Sequence, residues 1–183
     1  KNNEEVIYAL YHFEKHYEFC EISSARFKAF LNQRFRDEVG DEYAYANFSK
    51  ILYVKKDETI LYMTDTGYVS QKNMEYIKNL DYYIFESNHD IEMLMNTRRP
   101  LFLKNRIFGD KGHLNNEYSA HVMAQVIGEN TKEICLAHLS QEANTKEMAL
   151  DTYQRVFDEE HIYFDNIKIA DQKEIVSGGH YEN

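Results

Sequence analysis

Cysteine is scarce in this sequence: Cys20 and Cys135 are its two, and they lie far apart. That excludes a disulfide framework and a thiolate metal knuckle, and it predicts two buried, reduced thiols. No apolar run approaches the roughly 20 residues that span a membrane, and no basic-then-apolar leader stands at the start. The expectation is a soluble, cytoplasmic protein with no membrane partner. Positive charge is also short, with 21 Lys plus Arg against 31 Asp plus Glu and a formal net charge of −10. This argues against gripping nucleic acid through a general basic surface, and leaves a local basic patch open. Internal repeats and low-complexity segments are missing. So is an initiating Met: the chain begins at Lys1 and reads as a piece of something longer.

What is present is enough to fold. The 183 residues are 43% hydrophobic, which allows a sizeable core in one domain or a domain with an appendage. Residues 1–20 carry Val6, Ile7, Leu10, Phe13 and Tyr17 at spacings that fit a helix or two short strands. Ser23-Ser24 reads as an N-cap, and Phe27, Phe30, Leu31, Phe35 and Val39 follow at helical spacing to Gly40. From about residue 47 the pattern alternates. Strands are expected at 47–54 and 59–63 around a polar turn, then at 81–86, 131–137 and 162–170. Helices are expected at 71–79, from Ile91 to Asn96 before a break at Arg98-Arg99-Pro100, from Asn115 or Asn116 to Gly128, and at 145–157. Such alternation predicts an α/β layered domain.

Three of the apolar strand candidates end in polar groups: Asp65, then Glu86-Ser87-Asn88-His89-Asp90, then His138, with His113 in a loop between the last two. If these strands lie side by side, the groups emerge at one edge, where sheet enzymes place reactive residues. Carboxylate and imidazole together suit zinc or manganese. Each residue alone has a plainer reading. Asp65 in Thr64-Asp65-Thr66-Gly67 can cap a turn, a His after a strand can be a hydrogen-bonded loop residue, Glu86 can cap a helix, and Asp90 can be a solvated first-turn acid.

Four segments carry a resemblance: Thr64-Asp-Thr-Gly-Tyr-Val-Ser70, Phe85-Glu-Ser-Asn-His-Asp-Ile-Glu-Met-Leu94, the stretch from Lys104 to Glu117 that contains His113, and Ala137-His-Leu-Ser-Gln-Glu-Ala-Asn144. In this order they resemble the C-terminal half of the metallo-β-lactamase-fold hydrolases of the WalJ/YycJ type. The resemblance implies the second half of an αββα sandwich over residues 46–183, preceded by a divergent, helical or mixed segment over 1–45. It also implies two divalent metal ions, zinc or manganese, with Asp65 bridging them and His138 ligating one. His113 resembles the histidine that related tRNase Z and RNase J enzymes use to protonate a leaving oxygen, with Glu86 as its partner. Asn88, His89 and Asp90 then line the substrate cleft. The activity implied is phosphodiester hydrolysis, a nuclease acting on DNA or RNA.

The chain departs from that pattern in two places. Asn115-Asn116-Glu117-Tyr118 stands where the family has Ser and then Asn-Glu-Asp. The principal metal motif, His-x-His-x-Asp-His, is absent, and Glu42-Tyr43-Ala44-Tyr45 occupies the place of a later His-Asp. His12 and His16 share a helical face at a usable metal spacing, but nothing else around them resembles the missing motif. Arg26, Lys28, Arg34 and Arg36 fit either a phosphate-touching helix or an ordinary exposed face. A second expectation therefore stands beside the first: a degenerate or truncated relative that serves as a binding or regulatory module. Half of a sandwich exposes an apolar sheet face, so either homodimerisation or residues 1–45 should cover it.

Overall fold

Tyr82-Tyr83-Ile84-Phe85-Glu86 is buried along its whole length, and so is Glu133-Ile134-Cys135-Leu136-Ala137. Continuous apolar runs of this kind belong in the middle of a parallel sheet covered on both faces. The computed structural model describes residues 17–19, 50–55 and 58–179, with side chains from Thr59 onward. In chain order its elements are β1 (Tyr17–Phe19), β2 (Lys50–Lys55), β3 (Glu58–Met63), α1 (Gln71–Tyr76), β4 (Tyr82–Glu86), α2 (Ile91–Asn96), α3 (Leu101–Phe108), α4 (Asn116–Val126), β5 (Glu133–Ala137), α5 (Lys146–Glu159), β6 (Ile167–Ile169) and β7 (Val176–Gly178). The main sheet runs β2-β3-β4-β5-β6. β2 pairs antiparallel with β3, Lys50 opposite Met63, and every later neighbour is parallel. β1 pairs antiparallel with β7.

Side chains alternate across these strands. Leu61, Met63, Tyr83, Phe85, Ile134 and Leu136 pack with Met123 and Val126 of α4 and with Tyr153, Val156 and Phe157 of α5. Burying each such side chain is worth roughly 1.5–3 kcal/mol, so this interface holds the helices on the sheet. Tyr83 adds a polar tie. Its hydroxyl donates to the Ile77 carbonyl at 2.6 Å and accepts from the Leu80 amide at 2.9 Å, and the Val126 carbonyl lies 3.1 Å away. Carbonyls at the ends of α1 and α4 thus meet a partner on the sheet. Burial is the main reason the Tyr83 hydroxyl is pushed up to about 12.

The α/β class matches the expectation from sequence, and β3, β4 and β5 lie side by side as parallel neighbours. Three elements differ. The last strand spans Ile167–Ile169 rather than 162–170, because Ile162 and Phe164 pack against the core from a connecting segment. α3 was not expected at all: Pro100, read as a stop, opens the next helix, where its missing N–H costs nothing. β7 lies beyond the last strand expected from sequence. Cys135 is a buried free thiol, and burial pushes it up. The expected helix at 23–40, His12 and His16, Cys20, the basic residues from Arg26 to Arg36 and most of the 1–45 segment lie outside the described residues. Among the described residues no helix is long and apolar enough to cross a membrane.

Candidate metal centre

Because β3, β4 and β5 are parallel neighbours, their carboxyl ends open on one edge. Glu86 is the last residue of β4, His138 follows β5 directly, and Asp65 stands just beyond β3. Asp65 and His138 both take left-handed backbone conformations, φ 53° and 61°. A residue with a Cβ resists this region, and such conformations persist where the surroundings enforce them, often at functional sites.

The surroundings here are Glu86. Its side chain is fully buried. One carboxylate oxygen, Oε1, accepts from His113 Nδ1 at 2.8 Å and from His138 Nδ1 at 2.6 Å. The other, Oε2, accepts from the Thr66 amide at 2.9 Å and lies 3.4 Å from the Leu114 amide. Burial alone would raise the Glu86 carboxyl, but the N–H groups of His113 and His138, followed by Thr66, more than offset it and hold the group below its usual value. Glu86 is therefore ionised at neutral pH and can only accept. Each histidine must then carry its hydrogen on Nδ1, which leaves the Nε2 lone pair of the neutral ring for another partner.

The second nitrogen of His138 faces Asp65, and His113 lies beside them. His138 Nε2 lies 3.7 Å from Asp65 Oδ1, the His113 and His138 rings are 5.0 Å apart, and one ligand atom from each of the three residues falls within 4.8 Å of the others. A carboxylate and imidazole lone pairs gathered this closely repel unless a proton or cation lies between them. Two imidazoles and one carboxylate, oriented by a shared buried acid, form a donor set that fits a divalent cation. The loop bearing His113 is pressed onto the turn bearing Asp65. A Cβ on Gly67 would overlap the Gly109 carbonyl oxygen, and one on Gly112 would overlap the Ile107 carbonyl. Only glycine permits this approach.

The three residues expected beside the site separate. Asn88, 8% exposed, lines the cleft and donates from Nδ2 to the His138 carbonyl at 2.6 Å. His89 is fully buried against Phe108, its ring 6.3 Å away, and Nε2 has no hydrogen-bond partner among the described residues. Burial first, and then the nearby His113, lowers it to about 4. Asp90 caps α2, accepting from the Met93 amide at 2.8 Å. Asn115 likewise caps α4, and Asn116 joins Ser87 and Asn144 in a buried amide network beneath the site.

Sequence reasoning missed two contributors. The hydroxyl of Ser119 donates to the backbone carbonyl of Glu86 and meets Tyr153 at 2.6 Å, fixing the end of β4 from α4. Arg99, Arg106 and Lys111 line the same cleft of about 590 Å³ as Asp65, His113 and His138. Their signal was Leu103 and Ile107 at helical spacing after Pro100, which places α3 and its cations beside the site.

No family model matches the chain. Over 97 residues it is 44% identical to the exodeoxyribonuclease WalJ of Streptococcus pneumoniae, a match that takes in 53% of this chain and 36% of that protein. Over 97 residues it is 48% identical to the exodeoxyribonuclease YycJ of Bacillus anthracis, covering 53% and 37%. The chain thus spans little more than a third of the length of the curated relatives it matches. Among solved structures it is similar to the metallo-β-lactamase fold protein YhfI of Bacillus subtilis, with a TM-score of 0.48, 16% identity, and coverage of 70% of this chain and 44% of that one. A diphosphatase of the PhnP family gives a TM-score of 0.39 at 11% identity, covering 85% and 56%.

Proposed function

We propose that this chain carries part of the active site of a metal-dependent phosphodiester hydrolase that acts as a nuclease on DNA or RNA. The observation that supports it most is the convergence of Asp65, His113 and His138, oriented by buried Glu86 at the carboxyl edge of the sheet. The identity to two exodeoxyribonucleases points to the substrate class. Asp65 and His138 would hold zinc or manganese, two ions in the full family pattern. Bound there, a divalent cation lowers the pKa of a water and polarises a phosphoryl oxygen.

The chain's own residues supply the rest. Glu86 fixes the Nδ1–H of His113, which in this reading stays off the metal, so that its Nε2 can carry a proton to the departing oxygen. Asn88 pins the His138 backbone. In this reading residues 46–183 form the second half of the sandwich. The cytoplasm is the compartment, in keeping with the free, buried Cys135.

A second reading has a specific observation behind it. The His-x-His-x-Asp-His motif is absent from these 183 residues, which favours a binding or regulatory module that keeps the site's framework without turnover. Incubating the chain with linear DNA and RNA and added manganese separates the two. Shortened products from wild type, lost in Asp65→Ala and reduced about 10²–10⁴-fold in His113→Ala, are expected of the hydrolase. No products from wild type favours the module, and activity indifferent to His113→Ala removes its role as proton donor.

A further inference from the structure

The cleft beside the metal centre is charged against the trend of the molecule. The whole chain carries −10, yet Arg99, Arg106 and Lys111 gather in one cleft of about 590 Å³. Arg99 is engaged, its Nε 2.9 Å from Glu142 Oε2. Among the described residues Arg106 and Lys111 form no ion pair, and the three cations outnumber Asp65 and Glu142, the acids that line the same cleft. Arg106 belongs to α3, whose Leu103 and Ile107 also line the cleft. One turn before Arg106, on the same side of the helix, stands Phe102, 74% exposed; Phe108, at the helix end, is 52% exposed.

Phe102 lies outside the cleft lining but one helical turn from cleft-lining Arg106, and an exposed aromatic ring beside a cation matches the needs of a single polynucleotide strand. The phosphates require cations, and unstacked bases require flat apolar faces. We infer that α3 and the loop after it form a strand-binding wall, in which Arg106 and Lys111 contact successive phosphates of a single-stranded polynucleotide and Phe102 stacks a base. The wall leads that strand to Asp65 and His113. This inference rests on the nuclease reading for its direction, but it concerns binding and can be tested without turnover.

The test is fluorescence anisotropy of a labelled oligothymidylate of about 12 nucleotides, within the usual site size for such surfaces, titrated with the chain in EDTA at several salt concentrations. Wild type should bind, and Arg106→Gln with Lys111→Gln should weaken binding about tenfold while flattening the log–log salt dependence by roughly 1.4, from about 0.7 per lost phosphate contact. Phe102→Ala should weaken binding about tenfold with the salt dependence unchanged. Lys78→Gln, outside the cleft and paired with Glu75, should bind as wild type does. Binding by the double variant equal to wild type, or no binding by folded wild type, overturns the wall. Manganese-dependent hydrolysis of bis-p-nitrophenyl phosphate by wild type, lost in Asp65→Ala, is the separate check on the catalytic reading, so either can fail without the other.

Discussion

At the scale of single residues, the decisive group is Glu86, because one buried carboxylate sets the orientation of two histidines at once. Its neighbour in the chain, His89, does something different. Its ring is kept neutral in the core, with a value near 4 against the usual 6.5. The unfolded chain therefore takes up a proton between about pH 6.5 and 4 that the folded chain refuses. Stability is full above that window and falls as pH drops through it, by up to about 3 kcal/mol from this residue. Glu86, whose value is lowered, adds its own loss only further down, as pH falls below the ordinary carboxylate value of 4.5. Urea unfolding of wild type and His89→Leu at pH 7 and pH 4.5 tests this: the variant should lose clearly less stability between the two. Equal losses would show that His89 is not the acid-sensitive group.

At the scale of elements, the ends of three parallel strands do the positioning, and helices from one side hold them. Tyr83 is the most exacting tie, since its hydroxyl reaches the Ile77 and Val126 carbonyls and the Leu80 amide. Tyr83→Phe leaves those buried groups short of a partner and should cost about 1–3 kcal/mol in thermal or urea unfolding, with the α/β spectrum retained. A loss below half a kcal/mol would mean that water replaces the hydroxyl. This scale also shows what the sequence could convey. The apolar runs before Asp65, Glu86 and His138 announced strands, and their shared polar endings announced an edge, because both signals are local. The double role of Glu86 was not legible, since His138 lies 52 residues away and only the β4–β5 pairing brings it close. His89 and Asp90 look like Asn88 in sequence; which of them is buried, caps a helix or reaches the cleft depends on how α2 and α3 pack. α3 was hidden by Pro100, which reads as a helix stop but begins the next helix.

At the scale of the whole molecule, a strongly acidic chain concentrates cations beside a cluster of ligand atoms, and this contrast gives the cleft its character. The groups able to ligate a metal are those of the resemblance's second half, Asp65 and His138, with His113 beside them. The motif that would complete a two-ion site is not in the sequence. Everything functional in the account therefore turns on whether these residues hold a cation. The most direct measurement is the zinc and manganese content of the purified chain by mass spectrometry after dialysis against each metal, wild type beside the Asp65→Ala, His138→Ala double variant. The account predicts metal retained by wild type and lost from the double variant, with both chains folded; equal content in the two contradicts it.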